Sequence, residues 1–379
     1  MKTLKIKAPG RINLLGEHLD YNHGIVLPAA INRYFEFEFS ALEGSFFLIE
    51  ALDLNEKWEF TLSELTDSTT NGWMNYVKGV FLLIGFTSHP PKALHVRFKS
   101  NIPIGAGLSS SAALCCGLAF GLNEFYQLGK TRHELALLAQ QTEHEFTGVK
   151  CGLMDQVASL FGQANHLLAF DCISHEINSF ELPLHSAKLF LIDSKIKHNL
   201  AESAYNERRA SMEYAWLQAT ILFPNLISWR DIKEDQKQQL LSKLDRITSK
   251  RLTYVLDELV RVQKVQHLTK DLTTCSNSSE AEPHLIALGQ YLNQTHLGLR
   301  DLYEVSCQEL NFLQQAFTQL SGVYGARMMG GGFGGCLLVL ASNDFTASAA
   351  QSLMMEYFQT YDVYPAWIDV QLSVGVEVF

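Results

Sequence analysis

The sequence predicts an α+β protein in two lobes, and three observations carry that expectation. Segments of period-two alternation and long apolar, proline-free runs are mixed along the chain without a strict βαβ rhythm. At 379 residues the chain exceeds one small core and suits one large or two medium domains. Hydrophobic residues make up 47% and charged residues 18%, the balance of an ordinary globular protein. The boundary is placed near Ser186, dividing the chain into residues 1–186 and 187–379.

In chain order, Tyr34–Phe39 sets Phe35, Phe37 and Phe39 against Glu36 and Glu38, the pattern of a half-buried strand. Leu94, Val96 and Phe98 alternate likewise, and that strand runs into IPIGAGLSSSAAL. From Ser109 to about Gln127 the chain is rich in Ala, Leu and Cys, and a buried helix is expected with the serines in its first turn. Thr131 and Glu134 have capping-box spacing and open a helix expected to reach Phe146. After a glycine-containing turn, Leu153–Leu160 is read as helix. Further strands are expected at Leu167–Phe170, Leu189–Ile192, Cys336–Leu340 and Ile368–Val374. Residues 202–320 read as mostly helix, softest around 273–282.

The formal net charge of -10 argues against a general nucleic-acid or anionic-membrane binder. Seven scattered cysteines without CxxC or Cys/His spacing suggest reduced thiols rather than zinc. The N-terminus MKTLKIKAPGR has no apolar signal core, and no apolar run approaches ~18 residues. A soluble cytoplasmic protein is expected.

Three clusters carry chemistry. Gly105-Ala106-Gly107-Leu108-Ser109-Ser110-Ser111 lies between a predicted strand and helix. Glycines allow close backbone approach, and a helix N-terminus presents unpaired N–H groups to negative charge. This loop is neither a Walker A motif nor GxGxxG, and phosphate binding is favoured over the plainer alternative of a serine-capped helix after a flexible turn. The second cluster, Gly330-Gly331-Gly332-Phe333-Gly334-Gly335, follows Arg327 and precedes the strand CLLVL. So much glycine costs chain entropy on ordering, which suits a tight backbone path beside a ligand better than a linker. The third cluster is Arg11, Asn13, Glu17, His18, Asp20 and Tyr21. These groups could satisfy the hydroxyls of a polyhydroxylated ligand, although each alone would pass as a solvated turn residue.

In this order the clusters resemble the galactokinase branch of the GHMP kinases. APGRINLLGEHLDYNHGIVLP is similar to the galactokinase signature, IPIGAGLSSSAAL to the superfamily ATP loop, and GARMMGGGFGGC to its third motif. GWMNYVKGV, EHEFTGVKCGLMDQ, AYNERR and LRDLYEVSCQEL also resemble galactokinase segments, while residues 215–290 match weakly. The resemblance implies a two-lobed fold with the site in the cleft between lobes. It also implies transfer of the ATP γ-phosphate to the C1 hydroxyl of galactose, with Mg2+ as cofactor. Position by position, Asp155 matches the catalytic base and Arg11 the arginine near it. Glu17, His18, Leu19, Asp20, Gly152 and Tyr205 match the sugar pocket. Gly105, Ala106, Gly107, Leu108, Ser109, Ser110 and Ser111 match the ATP loop, and Trp73 and Tyr76 the border of the adenine cleft. Ser111 and Glu143 match the magnesium ligands, and a monomer is expected.

The residue chemistry agrees with those roles. A carboxylate within reach of a hydroxyl can take its proton, and a neighbouring arginine can stabilise developing negative charge. Magnesium prefers oxygen ligands such as those of Ser111 and Glu143. Against the family pattern stand Leu19 and Met329 where Thr is usual, Lys150 for Pro, Leu302 for Asp and Ala204 for Glu. These departures bear on sugar identity, leaving galacturonate, arabinose or N-acetylgalactosamine as alternative substrates. A non-catalytic sugar sensor is the other alternative; it is associated with changes in the serine–alanine loop, which is intact here as Ser111-Ala112-Ala113.

Overall fold

Phe37 and Phe39 are buried on the strand Pro28–Ala41, as the alternation predicts, and Glu36 and Glu38 lie on its more open face. The structure is a computed structural model that describes residues 3–66, 69–86, 91–197 and 201–379. Pro28–Ala41 belongs to a six-stranded sheet in the order Glu377–Val378, Thr3–Asn13, Pro28–Ala41, Leu94–Ser100, Phe47–Ala51, Glu56–Phe60. The pairings are antiparallel except that of Phe47–Ala51 with Leu94–Ser100. The helix Ser110–Tyr126 lies across this sheet, with Gly117 and Gly121 flat against the Phe37 and Phe39 rings. Each buried phenylalanine contributes at most about 2–3 kcal/mol of transfer free energy, so this face anchors the helix whose N-terminus meets the first glycine loop. The helices Trp73–Leu83, Arg132–Thr142 and Met154–Phe161 pack around it.

A four-stranded sheet in the order Val323–Met328, Gly334–Ser342, Ala187–Lys197, Ala366–Asp369 forms the second lobe's core. The helices Ser278–Asp301 and Gln308–Phe317 pack on it, and Arg246–Thr274 packs between Ala201–Leu222 and Ser278–Asp301. A small sheet of Ile25–Val26, His166–Asp171 and Ile177–Glu181 completes the strands. The fold is α+β, as expected. The sheets do not divide the chain into contiguous halves at Ser186, because Glu377–Val378 crosses back to pair with Thr3–Asn13.

That crossing also corrects the strand expected at Ile368–Val374, which is Ala366–Asp369. Beyond Asp369 the backbone bonds to the first sheet instead: Asn32 N–H donates to Gln371 O (3.0 Å) and Ser373 N–H to Ala30 O (2.9 Å). Thr131 and Glu134 form the predicted capping box, but the α-helix ends at Thr142 and a π turn spans Glu143–Thr147. The soft region narrows to residues 275–277, since Asn277 caps the next helix. Among the described residues no helix is long and apolar enough to cross a membrane, and all seven cysteines are free.

Candidate active site

Arg11 follows a register shift between Pro9 and Arg11 in the Thr3–Asn13 strand. Bulges of this kind re-aim side chains. Its guanidinium is buried and spends every nitrogen. Nε and Nη2 donate to the two oxygens of Asp155 at 2.8 and 3.0 Å, and Nη1 donates to Gly107 O at 2.6 Å. Burial opposes the charge on Arg11, but Asp155 and then Glu17 hold it above its ordinary value. Asp155 sits in the first turn of Met154–Phe161, and the Ser109 hydroxyl also donates to its Oδ2. One arginine thus ties the expected base to the expected phosphate loop.

At that loop Ser109 adopts the left-handed region (φ 59°) as N-cap of Ser110–Tyr126 without capping it. Its hydroxyl is committed to Asp155, so the helix's first N–H groups receive no side-chain cap from it. The two glycine loops touch each other. Gly107 (φ 72°) and Gly330 (φ 83°) face one another, and a Cβ on Gly330 would lie 3.2 Å from Gly107 O. Both need the left-handed conformation that glycine adopts without strain.

Beside the loop, Ser111 donates its hydroxyl to Glu143 Oε2 (2.9 Å), and Gln156 Nε2 donates to Oε1 (2.7 Å). Burial, then the Asp155 charge, pushes the Glu143 carboxyl up to about 7 against the pull of those two bonds. Glu143 opens the π turn, a feature that recurs at functional sites.

A cavity of about 220 Å³ joins these groups to the third cluster: Arg11, Glu17, His18, Asp20, Ser111, Glu143, Asp155 and Tyr205 line it, with Gly330–Gly332. Asp20 lies directly over Gly152, where a Cβ would stand 2.1 Å from its Oδ2, so only glycine leaves that carboxylate in place. Burial, then Asp155 and Glu17, pushes Asp20 up to about 7. His18 packs among the rings of Tyr205, Tyr303 and Tyr21, and its Nδ1 bonds the Tyr21 hydroxyl at 2.7 Å. Its buried Nε2 makes no hydrogen bond of good geometry and has only the Gly331 backbone beside it. Burial and then Arg208 lower it to about 3 against the pull of the Gly331 backbone, so the ring is neutral and Nε2 faces the cavity where a ligand hydroxyl could bond it.

Leu19, Trp73 and Tyr76 stand outside the cavity lining. Leu19 is fully buried in the hydrophobic core, its N–H bonded to Gly16 O and its O accepting from Asn22 and Gly24. Neither its side chain nor its backbone is offered to the cavity, so Leu in place of Thr costs the pocket no donor. Trp73 and Tyr76 stand on the helix Trp73–Leu83 outside the cavity lining, and the Trp73 indole donates to Glu56. Met329, the other departure, is also buried in the core.

Sequence reasoning missed two partners. Arg327, fully buried, donates Nη1 and Nη2 to Glu17 Oε1 (3.1 Å each), and Gly330 N–H donates to the same oxygen (2.9 Å). Glu17 therefore ties the third cluster to the second glycine loop. Gln156, which holds Glu143, stands next to Asp155 in GLMDQ, and that adjacency was the only available signal. A larger cavity of about 890 Å³, lined by Asp171, Trp229, Arg230 and Asp257 among others, contains none of the clustered residues.

Family models match three stretches of the chain. The GHMP kinases N terminal domain matches residues 75–163, the galactokinase galactose-binding signature residues 3–39, and the GHMP kinases C terminal model residues 281–358. The chain is 36% identical to the galactokinase of Thermosipho africanus over 373 residues, covering 98% of this chain and 99% of that one. Identity to the galactokinase of Thermotoga maritima is 36% over 376 residues, covering 99% of each. Lactococcus lactis galactokinase, solved with galactose, superposes with a TM-score of 0.89 at 28% identity, over 100% of this chain and 95% of that one. Methanococcus jannaschii mevalonate kinase shares the fold at TM-score 0.64 and 16% identity, covering 98% of each chain. Family models, full-length relatives and fold agree, and the chain belongs to the galactokinase family of the GHMP kinases.

Proposed function

We propose that this enzyme, an ATP-dependent sugar kinase, is a galactokinase that moves the γ-phosphoryl group of ATP to the C1 hydroxyl of α-D-galactose. The observation that carries the reading is the Arg11–Asp155 pair, set between a pocket of sugar-binding chemistry and the serine loop. His18, Asp20 and Tyr205 would hold the sugar, and Asp155 would take the C1 hydroxyl proton as that oxygen attacks the γ-phosphorus. The bond from phosphorus to the β-phosphate oxygen breaks, and ADP leaves. Phosphoryl transfer depends on positioning and charge stabilisation, and Arg11 supports both because it also grips Gly107. The uncapped helix N-terminus at Ser110 and the loop Gly105–Ser111 would cradle the phosphates, with Trp73 and Tyr76 bordering adenine.

Magnesium fits this site. Glu143 is a buried carboxylate without a cation bonded to it, next to a serine hydroxyl, and both offer the hard oxygens magnesium selects. Among the described residues no group of three or more His, Cys, Asp or Glu could hold a metal, so its other ligands would be phosphate and water. Bound there, it would neutralise charge on the transferring phosphates. A cytoplasmic enzyme is in keeping with its acidic charge and free cysteines, and we propose that it acts as a monomer.

ADP release from Mg-ATP with galactose, galacturonate, arabinose and N-acetylgalactosamine tests the assignment. Turnover on galactose above the others is expected. Turnover on another sugar alone would move the assignment to that sugar, and none on any would revive a sensor.

The pocket also predicts a pH dependence. With Asp20 titrating at about 7, the ionised form that accepts sugar hydroxyl bonds most strongly is populated above that pH. Galactose affinity of the free enzyme is therefore expected to fall as pH drops from 8 to 6, and Asp20→Asn to flatten the profile. Stability moves the opposite way. The unfolded carboxyl ionises at about 3.9, so the native state is penalised increasingly as pH rises from there to about 7. Calorimetric titration with galactose across that range checks the first claim. A flat wild-type profile would contradict it.

A further inference from the structure

We propose that Glu258 and Tyr254 are positioning residues that set sugar affinity by holding the backbone under the sugar-binding turn. The proposal rests on the assignment of His18 and Asp20 to the sugar. Both positioning residues stand on Arg246–Thr274, one turn apart and on one face, in the stretch where the sequence resembles galactokinases least. Glu258 is a fully buried carboxylate. Its Oε1 accepts the Gly16 N–H at 2.8 Å, while Oε2 accepts from the Thr295 hydroxyl (2.8 Å) and Arg261 Nε (2.6 Å). The Tyr254 hydroxyl donates to Glu17 O at 2.9 Å.

Those bonds fix the entry to a tight turn. Gly16 sits at φ 96° with its O accepting from Leu19 N–H, and Leu19 O in turn accepts from Asn22 and Gly24. His18 (φ 62°) and Asp20 hang from this frame, so a shift at Gly16 moves both cavity groups together. A second contact runs through side chains. The Tyr254 ring packs on Tyr303 (4.9 Å between centroids), and Tyr303 packs on His18 (4.8 Å). A helix of the second lobe thus grips the first lobe's sugar residues by backbone and by ring. Glu258 and Tyr254 do not line the cavity, so their effect passes through His18 and Asp20.

The experiment varies galactose and ATP separately for Tyr254→Phe, Glu258→Gln and, as a control, Asp20→Asn. Because small misplacements of binding groups are costly, Glu258→Gln should raise the galactose KM at least about tenfold and Tyr254→Phe about threefold, with the ATP KM within about twofold. A purely structural role would instead lower the folded fraction, and so kcat, with both KM values unchanged; that result overturns the proposal. If Glu258→Gln does not fold, Tyr254→Phe decides alone, and an unchanged galactose KM overturns it. An effect of Asp20→Asn without one of Tyr254→Phe removes the brace and keeps the pocket. No effect of Asp20→Asn means the pocket is misassigned, and the proposal falls with it.

Discussion

Asp155→Ala is expected to lower kcat by at least about a hundredfold while Mg-ATP still binds, the usual scale for loss of a positioned general base. The carboxylate is held by three donors, two from Arg11 and one from Ser109, and part of it faces the cavity. Removing it deletes the proton acceptor and frees Arg11 to shift away from the site. The ATP loop keeps its helix N-terminus and its glycine backbone, so nucleotide affinity measured by calorimetry should change little. Near-wild-type turnover would remove Asp155 from the mechanism.

Arg327→Ala should give the largest loss of stability. The guanidinium is fully buried; besides Glu17 it bonds the carbonyls of Asn13, Leu14 and Met328. Removing one partner of a buried ion pair typically costs about 3–5 kcal/mol because the other charge is left in place. That is a large share of the roughly 5–15 kcal/mol that keeps a protein folded. Urea unfolding should show the drop. Glu17→Ala added to Arg327→Ala should recover part of it, since no charge then remains buried alone. A single variant within about 1 kcal/mol of the parent would contradict the role assigned to this pair.

Much of this site was legible because local sequence dictates local structure at the motifs. The Phe35, Phe37, Phe39 alternation gave the strand under the ATP-loop helix, and the Thr131–Glu134 capping box gave the helix that leads to Glu143. What stayed hidden depends on contacts far apart in the chain. Arg327 meets Glu17 across 310 positions, and nothing near either residue announces the other. Glu258 and Tyr254 sit in the stretch 215–290 where the family resemblance is weak, and only the fold brings them to the backbone of Gly16 and Glu17. Leu19 was misread for a related reason. The resemblance placed it among sugar residues, but successive residues of a tight turn point in different directions, and this one enters the core. The strand expected at Ile368–Val374 ends early because its backbone changes sheets, which period-two patterning does not encode.

The phosphoryl group should arrive on the anomeric oxygen of galactose, and phosphorus NMR of the enzyme with Mg-ATP and galactose reads where it lands. One new phosphomonoester coupled to the sugar's H1, appearing in step with ADP, is the predicted result. A phosphomonoester on any other carbon, or ADP formed without a sugar phosphate, would contradict it.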